Sequence, residues 1–323
     1  MRYAAALLLL FSCGDDQTSA PPRTTGPGSD AGSDASAPAD SGSPTDAGTP
    51  DADATITYPD PLAGTTKTAT LVKSGFAFTE GPVWIGGRLL FSDVNNNVIQ
   101  ELLADGGTSP FRTNTNGANG LATDPQGRLW ACQGGNKRVT RNASDVTTTY
   151  NAAAYNAPND IIVRKDGTAY FTDPNYSGNP DTQDAHAVYR ISPNDDGVTR
   201  LSGTWVQPNG IALSPDESIL YVIDNGSGEL RRATVSANGD VGAFTDFHAA
   251  QGGDGMAVDD AGNLYIATTN GILVLDASGK DLGTITVAQV PANCTFGGAA
   301  RKTLYITART GLYSIDLNVP GLP

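Results

Sequence analysis

The chain has 323 residues, a formal net charge of −14 and only three cysteines, Cys13, Cys132 and Cys294. So few cysteines exclude a disulfide framework and a cysteine-rich zinc site. The two histidines, His186 and His248, cannot build a histidine-rich zinc site alone. Because no cluster of lysine or arginine is present, we expect no nucleic-acid partner, since binding to phosphates needs a basic surface.

The first thirteen residues have the pattern of an export signal. Arg2 precedes the apolar run A-A-A-L-L-L-L-F, which is too short to span a bilayer as a helix of the mature protein. The segment L-F-S-C, which ends at Cys13, resembles the bacterial lipobox, whose cysteine is lipidated and becomes the new N-terminus. Residues 1–13 are therefore predicted to be a lipoprotein-type signal peptide with Cys13 as the lipidation site. We expect a lipoprotein on the periplasmic or surface side of a bacterial cell envelope, and a plain secretory signal with a secreted product is the alternative.

Residues 14–63 are predicted to be a disordered, acidic linker. The segment consists largely of Ser, Gly, Pro, Ala, Thr and Asp, and its nine aspartates face one basic residue, Arg23. Such a composition cannot bury enough apolar surface to offset the entropy lost on ordering. The linker would hold a globular domain, residues 64–323, away from a membrane that the protein touches only through its N-terminal lipid.

A similar stretch of about a dozen residues, which we call the phrase, occurs six times in the remaining chain. Residues 119–131 read N-G-L-A-T-D-P-Q-G-R-L-W-A, and 209–222 read N-G-I-A-L-S-P-D-E-S-I-L-Y-V. Every copy opens on a residue with a side-chain oxygen, and these opening residues are Glu80, Asn119, Asn159, Asn209, Asp254 and Asn293. The spacings between them are 39, 40, 50, 45 and 39 residues.

Repeats of this length predict a six-bladed β-propeller with four antiparallel strands in each blade. Each phrase holds an alternating apolar strand, a turn rich in Gly and Asp, and a second strand rich in aromatic and β-branched residues. The last repeat is short, and the segment T-A-T-L-V-K at 68–73 has no blade of its own. We expect this N-terminal strand to complete the last blade and close the ring, which removes the exposed edge strands.

The propeller geometry brings the six opening residues together, because equivalent positions in the blades lie on one ring around the axis. Six oxygen-bearing side chains at one end of the channel, two of them carboxylic, are typical of a site for a hard cation such as Ca²⁺. The alternative is that Asn, Asp and Gly at these positions only cap turns. Six copies in register, one of them the poor turn former Glu80, favour the cation site.

The phrases together resemble the gluconolactonase and regucalcin-like family of calcium-dependent six-bladed propellers. The resemblance covers about residues 70–318 and is carried by T-E-G-P-V-W at 79–84, P-N-D-I-I-V at 158–163, P-N-G-I-A-L-S-P-D at 208–216 and G-D-G-M-A-V-D at 253–259. It implies a divalent cation, usually calcium with Mg²⁺ or Zn²⁺ as other possibilities, and the ligands carried over are Glu80, Asn159, Asn209 and Asp254. In the family the aspartate of D-G-M is often assigned a base or nucleophile role.

The other opening residues, Asn119 and Asn293, then become candidates for substrate binding, and so does Tyr176, which follows F-T-D-P-N in a loop after the second strand of the third repeat. One departure concerns the C-E-H-G-N of many relatives, which reads C-Q-G-G-N at 132–136 here. The loss of that histidine bears on the substrate more than on the metal.

The leading functional hypothesis is a metal-dependent hydrolase that opens a sugar-type lactone, with Asp254 as the base. One alternative keeps the site and hydrolyses phosphotriesters or aryl esters. The other is a surface-tethered binding propeller with a structural calcium. A serine-nucleophile hydrolase is disfavoured, because the G-x-S-x-G motif is absent from the sequence. We expect a monomer whose partner is a small-molecule substrate.

Overall fold

The computed structural model of this chain describes residues 56–195 and 197–322. The predicted signal peptide, the lipidation site Cys13 and nearly all of the predicted linker lie outside the described residues, so those predictions stay untested. Within the described part, the only helices are short 3-10 turns, Val94–Asn96 and Gly134–Asn136. No helix in that part is long and apolar enough to cross a membrane.

The strands form six four-stranded antiparallel sheets, which we call blades one to six. The first strand of the chain, β1 (Thr70–Ser74), belongs to the sixth of them. Blade one consists of β2 (Thr79–Ile85), β3 (Arg88–Asp93), β4 (Val98–Leu102) and β5 (Thr108–Thr113). Blade two consists of β6 (Ala118–Thr123), β7 (Leu129–Gln133), β8 (Arg138–Arg141) and β9 (Ser144–Thr147).

A two-stranded ribbon separates blades two and three, formed by β10 (Thr149–Tyr150) and β11 (Ala153–Ala154). Blade three consists of β12 (Ile161–Val163), β13 (Ala169–Asp173), β14 (Ala187–Ile191) and β15 (Val198–Arg200). Blade four consists of β16 (Pro208–Leu213), β17 (Ile219–Asp224), β18 (Glu229–Thr234) and β19 (Thr245–Ala249).

Blade five consists of β20 (Met256–Val258), β21 (Leu264–Thr268), β22 (Gly271–Leu275) and β23 (Asp281–Ile285). Blade six is built from both ends of the propeller, with β24 (Pro291–Gly297), β25 (Thr303–Ala308), β26 (Gly311–Asp316) and, as its outer strand, β1. β1 pairs antiparallel with β26, with Thr70 opposite Ser314. The first strands of successive blades contact one another, and β24 contacts β2. The predicted six-bladed propeller, closed by its N-terminal strand, is confirmed.

The hydrophobic core lies between the blades. Its main contributors are the second strands, which are rich in aromatic and β-branched residues. All five residues of β7, β13 and β21 are buried, because a blade packs on both faces of each of these strands. Between blades two and three, Trp130 packs in one cluster with Tyr155, Phe171 and Tyr189. The Tyr155 ring meets Phe171 edge to face, with centroids 5.1 Å apart. Cys132 and Cys294 are buried free thiols.

The channel runs along the first strands, and a cavity of about 310 Å³ lies within it. Asp160 and Asn293 line this cavity near the opening residues, and Leu322 lines it near the chain's C-terminus. Leu322 N donates a hydrogen bond to the carbonyl of Val258, 3.1 Å away, and Gly321 N donates to that of Arg301 at 2.7 Å. The C-terminal segment therefore crosses the end of the channel opposite to the opening residues.

Residues just before the predicted start of the propeller also belong to the folded unit. Leu62 is 1% exposed and joins the core cluster of blades five and six. Asn318 fastens this segment, because its Nδ2 donates to the carbonyls of Asp60 and Ala63 at 2.9 and 2.8 Å. The apolar side chain of Leu62 thus anchors the segment that leads into β1.

Replacing Leu62 by alanine is expected to lower the free energy of unfolding by about 2–5 kcal/mol, because a fully buried leucine leaves a cavity when truncated. Urea denaturation of the full chain measures this change. Ile56→Ala is the matched control, since Ile56 is 73% exposed and should change stability little. Equal stabilities for the two variants would show that the Leu62 segment does not anchor the propeller.

Candidate functional site

The six opening residues form a ring at one end of the channel, as the repeat predicts. Glu80, Asn119, Asn209 and Asn293 lie inside the first strands of their blades, whereas Asn159 and Asp254 come just before β12 and β20. Backbone hydrogen bonds join neighbouring positions. Gly120 N donates to the Asn159 carbonyl at 2.8 Å, and Gly210 N donates to the Asp254 carbonyl at 3.0 Å. Blades two and four thus each hold the opening residue of the following blade.

The glycine that follows an opening residue is required by this close approach. A Cβ on Gly81 would lie 2.0 Å from the carbonyl oxygen of Asn119, and Gly81 has a φ of +41°. A Cβ on Gly255 would lie 2.0 Å from Cγ of Asn293. The N-G, D-G and E-G pairs of the repeat therefore allow the strands to converge at the mouth of the channel.

Hydroxyl groups of the second strands hold the ring from behind. Ser92 Oγ donates to the Asn119 carbonyl at 2.7 Å, and Thr172 Oγ1 donates to the Asn209 carbonyl at 2.8 Å. In both cases the hydroxyl belongs to the blade that precedes the opening residue. The opening residues are therefore positioned by rigid strands, which suits a site that must keep its geometry.

Three other buried aspartates, at the ends of second strands, have a structural explanation. Asp173 accepts hydrogen bonds from the backbone N–H groups of Asn156 (2.8 Å) and Ala157 (2.7 Å). Asp93 and Asp224 accept equivalent pairs from the segments that lead into their blades. These carboxylates hold the loops before the opening residues and so are distinct from the ring itself.

Three carboxylates meet at the ring: Glu80, Asp160 and Asp254. Glu80 is 4% exposed, and its Oε2 accepts a hydrogen bond from Gly81 N at 3.0 Å. Burial, followed by repulsion from Asp254, holds the pKa of Glu80 well above its ordinary value. Burial, with repulsion from Asp160, raises the pKa of Asp254 to about 7. Among the described residues, no ion pair compensates any of the three.

Asp160 is the member of this group that the sequence analysis missed. It is 6% exposed, and burial raises its pKa to about 6. Its Oδ2 lies 3.4 Å from Nδ2 of Asn293, across the channel. A signal was available, because the position after the opening residue is glycine in four repeats and a carboxylate only in N-D at 159–160. A charged side chain at a position that is otherwise glycine or, in the last repeat, Cys294 indicates a role in the channel.

Amide and phenol groups lie beside the carboxylates at two levels: Asn209 and Tyr176 at the mouth, and Asn293 beneath it. The Asn209 amide lies close enough to the Asp254 carboxylate to oppose the rise in its pKa, and its Nδ2 donates to the Tyr176 hydroxyl at 2.9 Å. Tyr176 is 45% exposed, so its loop brings an aromatic ring to the mouth. Asn293 is 6% exposed and faces Asp160 and Glu80, which places it beneath the mouth. Asn119 and Asn159 are half-buried and take their places in the ring through the backbone contacts above.

The chemistry of this donor set fits a hard divalent cation. Buried carboxylates without a counter-charge are costly, and a cation between them would remove the repulsion. The predicted ligands are two carboxylates and two amides, all oxygen donors of the kind that Ca²⁺ prefers. Among the described residues, no group of three Asp, Glu, His or Cys side chains is arranged to hold a metal by itself. A cation at the ring would therefore need the amide oxygens as well.

The metal-free protein is expected to lose stability as the pH rises from about 4 to about 7. The pKa values of Asp160 and Asp254 are raised in the folded protein, to about 6 and about 7. In this window the folded state binds more protons than the unfolded state, so stability falls with rising pH. Asp173, whose burial raises its pKa to about 7, acts in the same direction.

Thermal melts in EDTA across this pH range would measure the effect. The double variant Asp160→Asn/Asp254→Asn is the control, and its melting temperature should vary less with pH. A metal-free protein whose melting temperature climbs steadily over the window would contradict the expected sign.

Residues 78–310 match a known family, the SMP-30/gluconolactonase/LRE-like region. The chain belongs to this family. A gluconolactonase of Zymomonas mobilis is 33% identical over 279 residues, which cover 74% of this chain and 78% of that protein. The solved structure of a gluconolactonase from Xanthomonas campestris has a TM-score of 0.72 and 29% identity, covering 77% of this chain and 89% of that one. These family members support lactone hydrolysis as the reaction class.

A third similarity concerns the fold alone. Regucalcin from Agrobacterium tumefaciens, described as a calcium-binding protein, has a TM-score of 0.68 and 17% identity, with 79% of this chain and 95% of that chain covered. The family membership that the recurring phrases predict is confirmed by these matches taken together.

Proposed function

We propose that this protein is a calcium-dependent lactonase that opens a small, sugar-derived lactone at the mouth of the propeller channel. The observation that carries the proposal is the set of buried, uncompensated carboxylates at the ring, in a chain whose relatives include a gluconolactonase. The carboxylates supply both a cation site and a base, which are the two requirements of lactone hydrolysis without a redox cofactor.

The residues that would hold the cation are Glu80, Asn159, Asn209 and Asp254. When bound, a divalent cation polarises the lactone carbonyl and offsets the negative charge that develops on its oxygen. Ca²⁺ is favoured over Mg²⁺ because the site offers several protein oxygens, whereas Mg²⁺ usually keeps most of its water. The set contains no nitrogen or sulfur ligand of the kind that Zn²⁺ sites generally use.

Asp254 is the proposed base. The residue is half-buried, whereas Glu80 and Asp160 are buried, so Asp254 is the ring carboxylate best placed to meet a water molecule. It would accept a proton from the water that attacks the carbonyl carbon, and that proton then passes to the ring oxygen as the C–O bond breaks. Its pKa of about 7 in the metal-free protein suits proton exchange near neutral pH, and a neighbouring cation would lower it.

Tyr176 and Asn119 are the proposed substrate contacts. The Tyr176 ring is exposed at the mouth while its hydroxyl is held by Asn209, so the ring has a fixed position against which a sugar can lie. Asn119 is half-buried on the same ring of opening residues. Asn293, by contrast, is engaged with Asp160, and we assign it the role of orienting the buried carboxylates rather than touching substrate.

The deciding experiment is hydrolysis of a lactone panel by the purified protein, with EDTA and with added calcium, beside aryl esters and phosphotriesters. Calcium-restored hydrolysis of a sugar lactone, with weaker activity on the other esters, is the expected result. Calcium binding without hydrolysis of any substrate would favour the tethered binding propeller. A preference for phosphotriesters or aryl esters would assign the protein a different substrate class at the same site.

A further inference from the structure

An arginine of blade six stands at the mouth of the site. Arg309 lies in the hairpin between β25 and β26, at a φ of +48°. Its carbonyl accepts a hydrogen bond from Thr79 N at 2.8 Å and one from Thr79 Oγ1 at 3.3 Å. Because Thr79 directly precedes Glu80, the hairpin of blade six is tied to the strand that carries the first carboxylate of the ring.

The Arg309 guanidinium lies beside the segment that leads into β2. Its guanidinium carbon lies 5.6 Å from the centre of the Phe78 ring, and Phe78 comes two residues before Glu80. The positive charge also acts on the Asp254 carboxylate, where it opposes the rise in pKa. Arg309 is therefore within electrostatic reach of both the entry strand of blade one and the proposed base.

This guanidinium is free of the ion pairs that most other arginines of the propeller make. Within residues 56–195 and 197–322, no carboxylate lies within 4.0 Å of the Arg309 guanidinium, whereas Arg231, for example, pairs with both Asp224 and Asp246. Arg309 is exposed, so its hydrogen-bond donors face solvent at the mouth. Among the described residues, Arg309 therefore has no direct ion pair that a substrate carboxylate would have to displace.

We propose that Arg309 is a specificity-determining residue that binds a carboxylate substituent of the substrate, so that the enzyme acts on lactones of sugar diacids or uronic acids. The inference rests on the proposed lactonase function. Three ring carboxylates with one divalent cation leave a net negative charge, which would repel an anionic substrate. A guanidinium at the mouth offsets that repulsion, and its planar fork pairs with a carboxylate through two hydrogen bonds.

Contact with Phe78 supports this role. An arginine on a flexible stem loses side-chain freedom when it binds a ligand, and stacking on an aromatic ring reduces that loss by fixing the guanidinium plane in advance. The hairpin backbone is fixed as well, because Thr79 holds the Arg309 carbonyl. The Arg309 guanidinium is thus held by a rigid turn and by a side chain that is already partly ordered.

The test compares Arg309→Gln and Arg309→Lys with the wild type on two substrates, neutral glucono-1,5-lactone and the carboxylate-bearing glucaro-1,4-lactone. Arg309→Gln should lower kcat/KM for the carboxylated lactone by about 10- to 100-fold, the scale of a lost charge-assisted hydrogen bond. It should change kcat/KM for the neutral lactone by about twofold or less. Arg309→Lys should fall between wild type and Arg309→Gln, because lysine keeps the charge and loses the fork.

Arg232→Gln is the matched control. Arg232 also stacks on an aromatic ring, with its guanidinium carbon 4.1 Å from the centre of Phe247, but it lies on β18, the third strand of blade four. This variant should leave kcat/KM for both lactones unchanged. Raising the salt concentration should reduce the wild-type preference for the carboxylated lactone, since exposed charges are screened.

The outcomes separate this inference from the proposed function. Equal losses on both lactones in Arg309→Gln, or a wild-type enzyme that hydrolyses only the neutral lactone, would overturn the Arg309 role and leave the lactonase proposal intact. If no lactone is hydrolysed, calorimetric binding of glucaro-1,4-lactone to the calcium-loaded protein decides. Binding that weakens in Arg309→Gln would support the carboxylate site, and equal or undetectable binding in both proteins would reject it.

Discussion

Asp254→Asn is expected to lower kcat for the best lactone by about 100-fold or more while calcium binding is retained. Asparagine keeps an oxygen that can face a cation, so the donor set loses charge but not a ligand. It cannot take a proton from water, and the half-buried carboxylate that it replaces is the proposed base. Steady-state rates at saturating calcium, together with a calorimetric calcium titration, measure the two properties separately.

Asp259→Asn provides the matched control for this variant. Asp259 lies in the same blade and is fully buried, but it serves the hairpin between β20 and β21, where it accepts hydrogen bonds from Asn263 Nδ2 (2.8 Å) and the Tyr265 hydroxyl (2.9 Å). Its replacement should reduce stability and leave turnover per folded molecule unchanged. If Asp254→Asn turned over substrate at the wild-type rate, Asp254 would not be the base, and a binding propeller would be favoured.

Glu80→Gln is expected to abolish most of the thermal stabilisation by calcium and to leave the metal-free protein as stable as the wild type or more so. A ligand that binds only the folded state at about 100 times its Kd adds about 2.7 kcal/mol, which for a domain of this size is about 5–10 °C in Tm. The loss of one of two ligand carboxylates should remove most of this gain. In the absence of calcium, however, burial and repulsion from Asp254 and Asp160 outweigh the hydrogen bond that the Glu80 carboxylate accepts from Gly81, so removal of its charge relieves strain.

Calorimetric melts in calcium and in EDTA test both halves of this expectation. Glu101→Gln is the control in the same blade, because Glu101 makes only a surface ion pair with Arg88 at 3.4 Å. A Glu80→Gln protein that gains as much from calcium as the wild type would show that Glu80 is not a ligand.

The fold was predictable because its information is local and repeated. Each blade carries the same order of opening residue, alternating strand, turn and aromatic strand, so six weak signals reinforce one another. Even the closing strand could be inferred, since T-A-T-L-V-K had strand character and no blade of its own. The structure pairs this strand, β1, with β26.

Features outside the repeat could not be read from the sequence. The ribbon of β10 and β11 lies between the last strand of blade two and the third opening residue, where no repeat position constrains it. Leu62 follows a segment of low-complexity composition, and only its contacts with blades five and six mark it as core. The C-terminal residues at the far end of the channel are likewise placed by tertiary contacts alone.

The site was predictable in outline and less so in its roles. Ring symmetry brings the opening residues together, but it does not distinguish Asn209, which donates to Tyr176, from Asn293, which donates to Asp160 beneath the mouth. That distinction depends on which way each side chain turns. Asp160 was missed because it occupies the second position of the phrase, where the comparison of opening residues did not look.

The pairing of β1 with β26 also constrains the order in which the chain can fold. The two strands meet across some 240 residues of sequence, with Thr70 opposite Ser314, so blade six cannot be completed until the last strand has been synthesised. During that interval β1 has no partner strand in its final sheet. Contacts of such long range slow folding, and exposed strand edges favour association with other chains. The contact that closes the ring is therefore the step at which a chaperone or an untimely second copy would have most influence on the yield of native protein.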